Sequence, residues 1–389
     1  MDFILNDQQR ELQETARRFA STELPELARE IEAKDFPVPA DMVRRYGEMG
    51  FLGVNLPEEY GGLGLGHIEA LLVLEEFAKI SNAVAFPVFE ALVGPVRTIE
   101  RFGSNDLKAK IIPQVTSGEA TVAVSMSEPD AGTALTDLTT SARADSDHYV
   151  VNGTKRWTSG AGHSAYYVVY ARLSDAPEAK GIGALLIERD MDGVSFGQRE
   201  ELMGFRGIPT ADISFDEVRV PKGNLIVNAG GFGRLMSAFG LERCGNATQA
   251  LGLASAALDQ ALAYTQERKA FGKPIVDFQA VQLKLAEMAM RVEAARLLIW
   301  RAAANAKNQD NGLPSAYESS LAKCFANEIV RDVTALGMQV MGGYGYHKDY
   351  GMEQRVRDGF AWGIAGGAID VQKTNIAAAL VGRRFDQRR

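Results

Sequence analysis

The sequence predicts an α+β multidomain protein: an N-terminal α-helical domain, a middle antiparallel β-barrel or sandwich, and a C-terminal four-helix bundle. Three observations carry this. Apolar residues recur every three to four positions up to about residue 118, short β-rich runs follow as far as residue 221, and long helical patterns return from Gly231. The expected boundaries are 1–119, 120–230 and 231–389. With 389 residues and 46% hydrophobic content the chain has material for substantial cores.

In the first part, Leu12, Ala16, Phe19 and Ala20 form one helical stripe, and the run from Leu71 to Phe77 is apolar enough for a buried helix. LPEEYGGLGLG (56–66) interrupts them with proline and glycines, which marks a loop. The middle part contains TVAVSM, HYVVNGTKRWT, AYYVVYARL, IGALLIE, GVSFG and ADISFDEVRVP, β-branched runs separated by turn residues. Helical patterns then cover 231–268, 278–308, 315–341 and about 366–383, with Pro274 and Pro314 in the breaks.

Composition excludes several classes. The net charge of -8 and the absence of a long basic run, apart from the mixed RRFDQRR end, argue against nucleic acid. No apolar stretch approaches the ~20 residues of a bilayer span. His67, His148, His163 and His347 are scattered, so no metal site is expected. Cys244 and Cys324 form neither a CxxC pair nor a disulfide framework, and the amphipathic N-terminus is no signal peptide; a cytoplasmic protein is expected. No GxGxxG follows a predicted strand, which leaves a nicotinamide site without support.

The residue that stands out is Glu242, a carboxylate inside the apolar run LMSAFGLERCGNATQALGLASAAL (235–258). Burial raises an acid's pKa toward the range a general base needs, whereas the plainer reading is a buried pair with Arg243. Four other segments carry chemistry. VAVSMSEPDAGTALTDL (122–138) leaves a strand with hydroxyls and small residues suited to a polar ligand edge, and NGTKRWTSGAGHSAYYVVY (152–170) sets Trp157 beside Thr158 and Ser159. ERKAFGKPIVDFQAVQ (267–282) offers Arg268, Phe271 and Gln279 to a diphosphate and adenine, and GMQVMGGYGYHKDYGMEQRVRDGF (337–360) joins Gln339 to Gly342 and Gly343.

In order and spacing, these segments, together with LPEEYGGLGLG and LMGFRGIPTADISFDEVRVP (202–221), resemble the acyl-CoA dehydrogenase family from the N-terminal helices to Arg383. The resemblance implies noncovalent FAD, an acyl-CoA substrate, a homotetramer built as a dimer of dimers, and electron-transferring flavoprotein as acceptor. It places Val124 and Ser127 at the isoalloxazine edge, Trp157 on the ring and Ser159 near flavin N5. Arg268, Phe271, Gln279, Gln339 and Gly343 would bind the diphosphate and adenosine, mainly of a neighbouring subunit's FAD. Thr133 would meet the CoA portion, with Arg243 and Gly367 near the acyl thioester.

One departure bears on mechanism. Many members carry their base just before the last helix, where this chain reads WGIAGGAIDVQK (362–373), with Gly366 at the glutamate's place. Glu242 is then the expected base, resembling isovaleryl-CoA and long-chain acyl-CoA dehydrogenases. It would take the C2 proton while a hydride leaves C3 for flavin N5, and the Gly366 N–H would polarise the thioester oxygen. Ala365, Gly366 and Ala368 suggest a branched, cyclic or otherwise wide acyl group. The IAGG run also resembles the desulfinase branch, a lyase whose arginine would fall at Phe86, and an inactive binding homologue is a third reading. Glu90, on an apolar segment, is expected to be solvated or paired rather than catalytic.

Overall fold

Helix α1 (Asp7–Glu23) opens the computed structural model, which describes residues 4–383 and 385. The first three residues and most of the mixed charged C-terminal end lie outside the described residues. Asn6 caps α1 by accepting from the Gln9 N–H, and the Gln9 side chain accepts from the Asn6 N–H in return. Helices α2 (Pro25–Lys34), α3 (Ala40–Glu48), α4 (His67–Ile80), α5 (Asn82–Leu92), α6 (Val96–Phe102) and α7 (Asn105–Thr116) follow. Every residue of α4 from Ala70 to Ala78 is buried, as expected of a helix enclosed on all sides. Its Glu75 is matched by Arg296 at 2.8 Å, so the enclosure leaves no lone charge there.

The strands are β1 (Val122–Ser125), β2 (Ser141–Asp145), β3 (His148–Ser159), β4 (Tyr166–Arg172), β5 (Ile182–Glu188), β6 (Val194–Phe196), β7 (Thr210–Pro221) and β8 (Leu225–Val227). They form one sheet in the order β6-β7-β3-β2-β4-β5-β8, with β1 alongside β4. Pairing is antiparallel except where β4 meets β1 and β2. The apolar run of β4 is explained by burial of both faces. Tyr167, Val169 and Ala171 pack inside the sheet's own core, while Tyr166, Val168 and Tyr170 join the core of the helices.

Helix α8 (Phe232–Glu267) is the axis of the C-terminal region, and at about 1.5 Å per residue it is roughly 54 Å long. After a short hairpin, β9 (Lys269–Ala270) and β10 (Lys273–Pro274), come α9 (Gln279–Asn305), α10 (Ala316–Met341), α11 (Gly343–Tyr346), α12 (Met352–Ala361) and α13 (Ile369–Val381). Small residues let α8 approach the N-terminal helices closely. A Cβ on Gly245 would stand 2.2 Å from Val93 Cγ2 and 3.0 Å from Phe89 Cε2, so glycine is required for α5 to pack there. As a result one hydrophobic core runs through both helical regions. Sequence periodicity did not reveal α12, because it is only ten residues long and rich in charged and polar residues.

Candidate active site

The close packing of α5 on α8 brings two carboxylates into one buried neighbourhood. Glu242 on α8 is 7% exposed and Glu90 on α5 is 6% exposed. Neither carboxylate makes a hydrogen bond or an ion pair within 4 Å among the described residues, which corrects both plainer readings. Arg243 does not pair directly with Glu242, and Glu90 is neither solvated nor paired. Burial pushes the Glu242 carboxyl up to about 8, against the opposing pull of Lys323 and Arg243. Glu90 is driven well above the ordinary carboxylate range, first by burial and then by the like charge of Glu242. Two acids that share a site cannot both ionise easily, so an ionised Glu242 drives the Glu90 carboxyl up further.

Around this pair lie groups with unused hydrogen-bonding capacity. The hydroxyl of Tyr170, on the helix-facing side of β4, and Nε of Arg243 are buried with no partner. Tyr170 feels both Glu242 and Arg243 electrostatically. Phe86 stacks on Phe89 at 5.7 Å and supplies no cation. The turn between α12 and α13 closes the other side. Gly366 sits there with φ +62°, and its N–H is taken by no acceptor among the described residues. A Cβ at Gly366 would lie 2.8 Å from Nδ2 of Asn246, whose amide donates to the Glu242 carbonyl oxygen at 2.9 Å. The side chain of Asn246 thus packs between Gly366 and the turn of α8 that carries Glu242. Gly367, at φ +88°, is exposed beside them.

The first loop of the sheet is locked onto β3. Buried Glu128 accepts from Thr139 N at 2.6 Å, Thr140 N at 2.9 Å and Lys155 Nζ at 2.8 Å. Burial alone would raise its carboxyl, but Lys155 and these N–H donors bring it down to about 2. Arg156 N donates to Ser127 O at 2.8 Å, so Ser127 lies against the strand segment that carries Trp157. Trp157 is 53% exposed at φ +60°, and the Arg156 guanidinium covers its ring at 4.1 Å. Such a backbone conformation is uncommon for a bulky residue and is imposed by the bulge in β3 between Lys155 and Thr158. Val124 pairs with Val168, Ser159 with Thr210, and Thr133 is exposed on the loop between β1 and β2.

The remaining candidates lie at the far end of α8. Arg268 caps that helix and, with Gly343, lines a groove of about 700 Å³ whose walls include Tyr264, Tyr344 and His347. Phe271 protrudes from the β9–β10 hairpin, 96% exposed at φ +51°. Gln279 begins α9 and Gln339 lies near the end of α10, both exposed and neither lining the groove. The candidate residues therefore form two groups in one chain. Sequence reasoning missed Glu90 as a partner of Glu242, and it missed Tyr170, Lys323 and Asn246; their polarity inside apolar runs was the available signal.

These features suit a flat aromatic group with a diphosphate: an exposed indole, a free N–H, orphaned buried donors and an arginine-bearing groove. Family models agree with this reading along nearly the whole chain. The acyl-CoA dehydrogenase N-terminal domain matches residues 6–119, the middle domain 123–218 and the C-terminal domain 229–381. A 3-sulfinopropanoyl-CoA desulfinase from Paraburkholderia xenovorans is 36% identical over 100% of this chain and 99% of its own. Butyryl-CoA dehydrogenase from Megasphaera elsdenii superposes with a TM-score of 0.93 at 31% identity, covering 98% of this chain and 100% of that one. The FAD complex of PigA superposes with a TM-score of 0.92 at 25% identity, covering 98% and 99%. The chain belongs to the acyl-CoA dehydrogenase family, the FAD-binding oxidoreductases that act on CH–CH donors.

Proposed function

We propose that this protein desaturates an acyl-CoA thioester between C2 and C3, with Glu242 as the base. The observation that carries the reading is the environment of Glu242: a buried carboxylate with no partner of its own, on the helix whose Asn246 packs against Gly366 with its free N–H, in a chain with no acid at position 366. FAD, when bound, supplies the two-electron acceptor for the hydride that leaves C3. Glu242 takes the C2 proton, and the Gly366 N–H donates to the thioester oxygen as negative charge develops on it. Glu90, Tyr170 and Arg243 would enclose the acyl end and exclude water. Val124, Ser127, Trp157 and Ser159 would hold the flavin ring, and Thr133 and Gly367 would contact the CoA thioester portion.

The small residues Ala365, Gly366 and Ala368 support a branched, cyclic or otherwise wide acyl group, although Asn246 occupies the space between Gly366 and α8. The proposed assembly is a homotetramer, a dimer of dimers. Arg268 lies roughly 40 Å beyond Glu242 along the α8 axis at about 1.5 Å per residue, farther than one dinucleotide reaches. The groove of one copy, with Arg268 and Gly343, and the neighbouring exposed Phe271, Gln279 and Gln339 therefore serve the flavin of another. Electron-transferring flavoprotein is the proposed acceptor and the cytoplasm the proposed location.

Anaerobic titration with straight-chain, branched and alicyclic acyl-CoAs tests the reading. A matching substrate bleaches the flavin, and Glu242→Gln abolishes bleaching while retaining bound FAD. Undiminished bleaching in that variant would show that another group takes the proton. The similarity to a desulfinase favours a second reading, a lyase on the same fold. Release of sulfite from 3-sulfinopropanoyl-CoA without net flavin reduction would select it.

A further inference from the structure

One buried cation near the acid pair has no part in the chemistry above. Lys323, on α10, is fully buried, and its ammonium donates to Ala365 O at 2.8 Å and Trp362 O at 3.1 Å. It is not alone on that helix face. Ser320 and Asn327, three residues before and four after, point the same way. Asn327 Nδ2 donates to Trp362 O at 2.5 Å. Ser320 Oγ donates to Gln372 Oε1 at 3.0 Å, and Gln372 in turn donates to Gly367 O at 3.1 Å. Three polar side chains on the buried face of α10 thus all serve the turn that contains Gly366 and Gly367.

A neutral amide would hold two carbonyls as well as an ammonium does, at far smaller desolvation cost. The charge needs its own reason: burial brings the ammonium down to about 7, and Glu242, its opposite charge, supports it. The groups facing Glu242 are Glu90 from α5, Tyr170 from β4, Arg243 from α8 itself and Lys323 from α10. Those facing Lys323 are Glu242 and Arg243 from α8 and Cys324 from its own helix. Of the two cations near Glu242, only Lys323 is also hydrogen-bonded to the turn.

We infer that Lys323 is a positioning residue for proton abstraction: its ammonium fixes the turn that presents the Gly366 N–H and, from the same point, sets the electrostatic field at the Glu242 carboxylate. The base and the oxyanion donor come from different helices, and Lys323 keeps them in one geometry. This inference rests on the reading of Glu242 as the base.

The test uses the FAD-loaded protein and 3-thiabutanoyl-CoA, whose C2 proton can leave but whose position 3 is a sulfur with no hydride to give. Ionisation at C2 is followed by the long-wavelength absorption of the anion against the flavin. Lys323→Gln keeps a donor for the turn and removes the charge, and Lys323→Met removes both. In Lys323→Gln the pH midpoint of the band should rise by a unit or more, with about tenfold less band at pH 7. Lys323→Met should also weaken binding of the probe. Midpoints equal to wild type in both variants would overturn the inference.

If Lys323→Met folds poorly, thermal unfolding decides. The loss in Tm caused by Lys323→Met should be several degrees smaller in a Glu242→Gln background, because no carboxylate is then left without its cation. Equal losses in both backgrounds would count against the pairing. Bleaching by acyl-CoA in Glu242→Gln would remove the base assignment and this inference with it. Loss of bleaching there, combined with unmoved Lys323 variants, would remove this inference alone.

Discussion

Glu242 is stored in an expensive form, and this has consequences that stability measurements can read. Its folded pKa of about 8 stands above its ordinary value. Such a group favours folding below its unfolded pKa, and that contribution is lost as pH rises through about 8. Glu242→Gln should therefore raise Tm, by several degrees more at pH 9 than at pH 5; an equal change at both would contradict the buried ionisation. The same acid predicts that the rate of flavin bleaching rises with pH up to about 8, falling about tenfold per unit below it. Gly366 has a different constraint. Its positive φ and the approach of Asn246 should make Gly366→Ala cost about 1–3 kcal/mol, measured by urea unfolding.

Among the elements, the loop between β1 and β2 owes its shape to Glu128. The carboxyl held at about 2 contributes stability that is fully present above its ordinary pKa of about 4.5 and is lost as pH falls toward 2. Glu128→Gln leaves buried Lys155 without its counter-charge and should cost roughly 3–5 kcal/mol at neutral pH. Urea unfolding at pH 7 and pH 3 should show that cost shrinking at the lower pH. Because the loop also seats Ser127 against β3, the variant should bind FAD more weakly, which flavin release on dilution would report. Strands β2 and β8 show how elements escape sequence reading. SARAD is weakly β-forming and LIV, though β-branched, is only three residues long; both are strands because β3 and β5 offer them partners.

Across the full length of the protein, the separation between the acid site and the arginine groove sets the expectation. Phe271, which meets Phe278 edge-on, is almost wholly exposed at a hairpin tip and strained at positive φ, a poor state for an aromatic residue. It should therefore be covered in the assembly. Phe271→Ala is expected to lower both flavin content and tetramer population, and sedimentation with and without added FAD would check it. An unchanged, fully loaded tetramer would exclude that role.

Much of this is legible in the amino-acid order. Composition, the helix–strand–helix succession and the position of Glu242 within an apolar run follow from local periodicity and residue chemistry, which are properties of short windows. The exchange of an acid at 242 for a glycine at 366 is visible for the same reason. Only tertiary structure decided that Arg243 leaves the acid unpaired, that Glu90 from α5 stands beside it, and that Asn246 of α8 packs against Gly366. Those facts depend on α5 closing against Gly245 and on a turn pinned by Lys323, contacts between segments far apart in the chain. A carboxylate's proton affinity is set by what surrounds it, and folding supplies the surroundings.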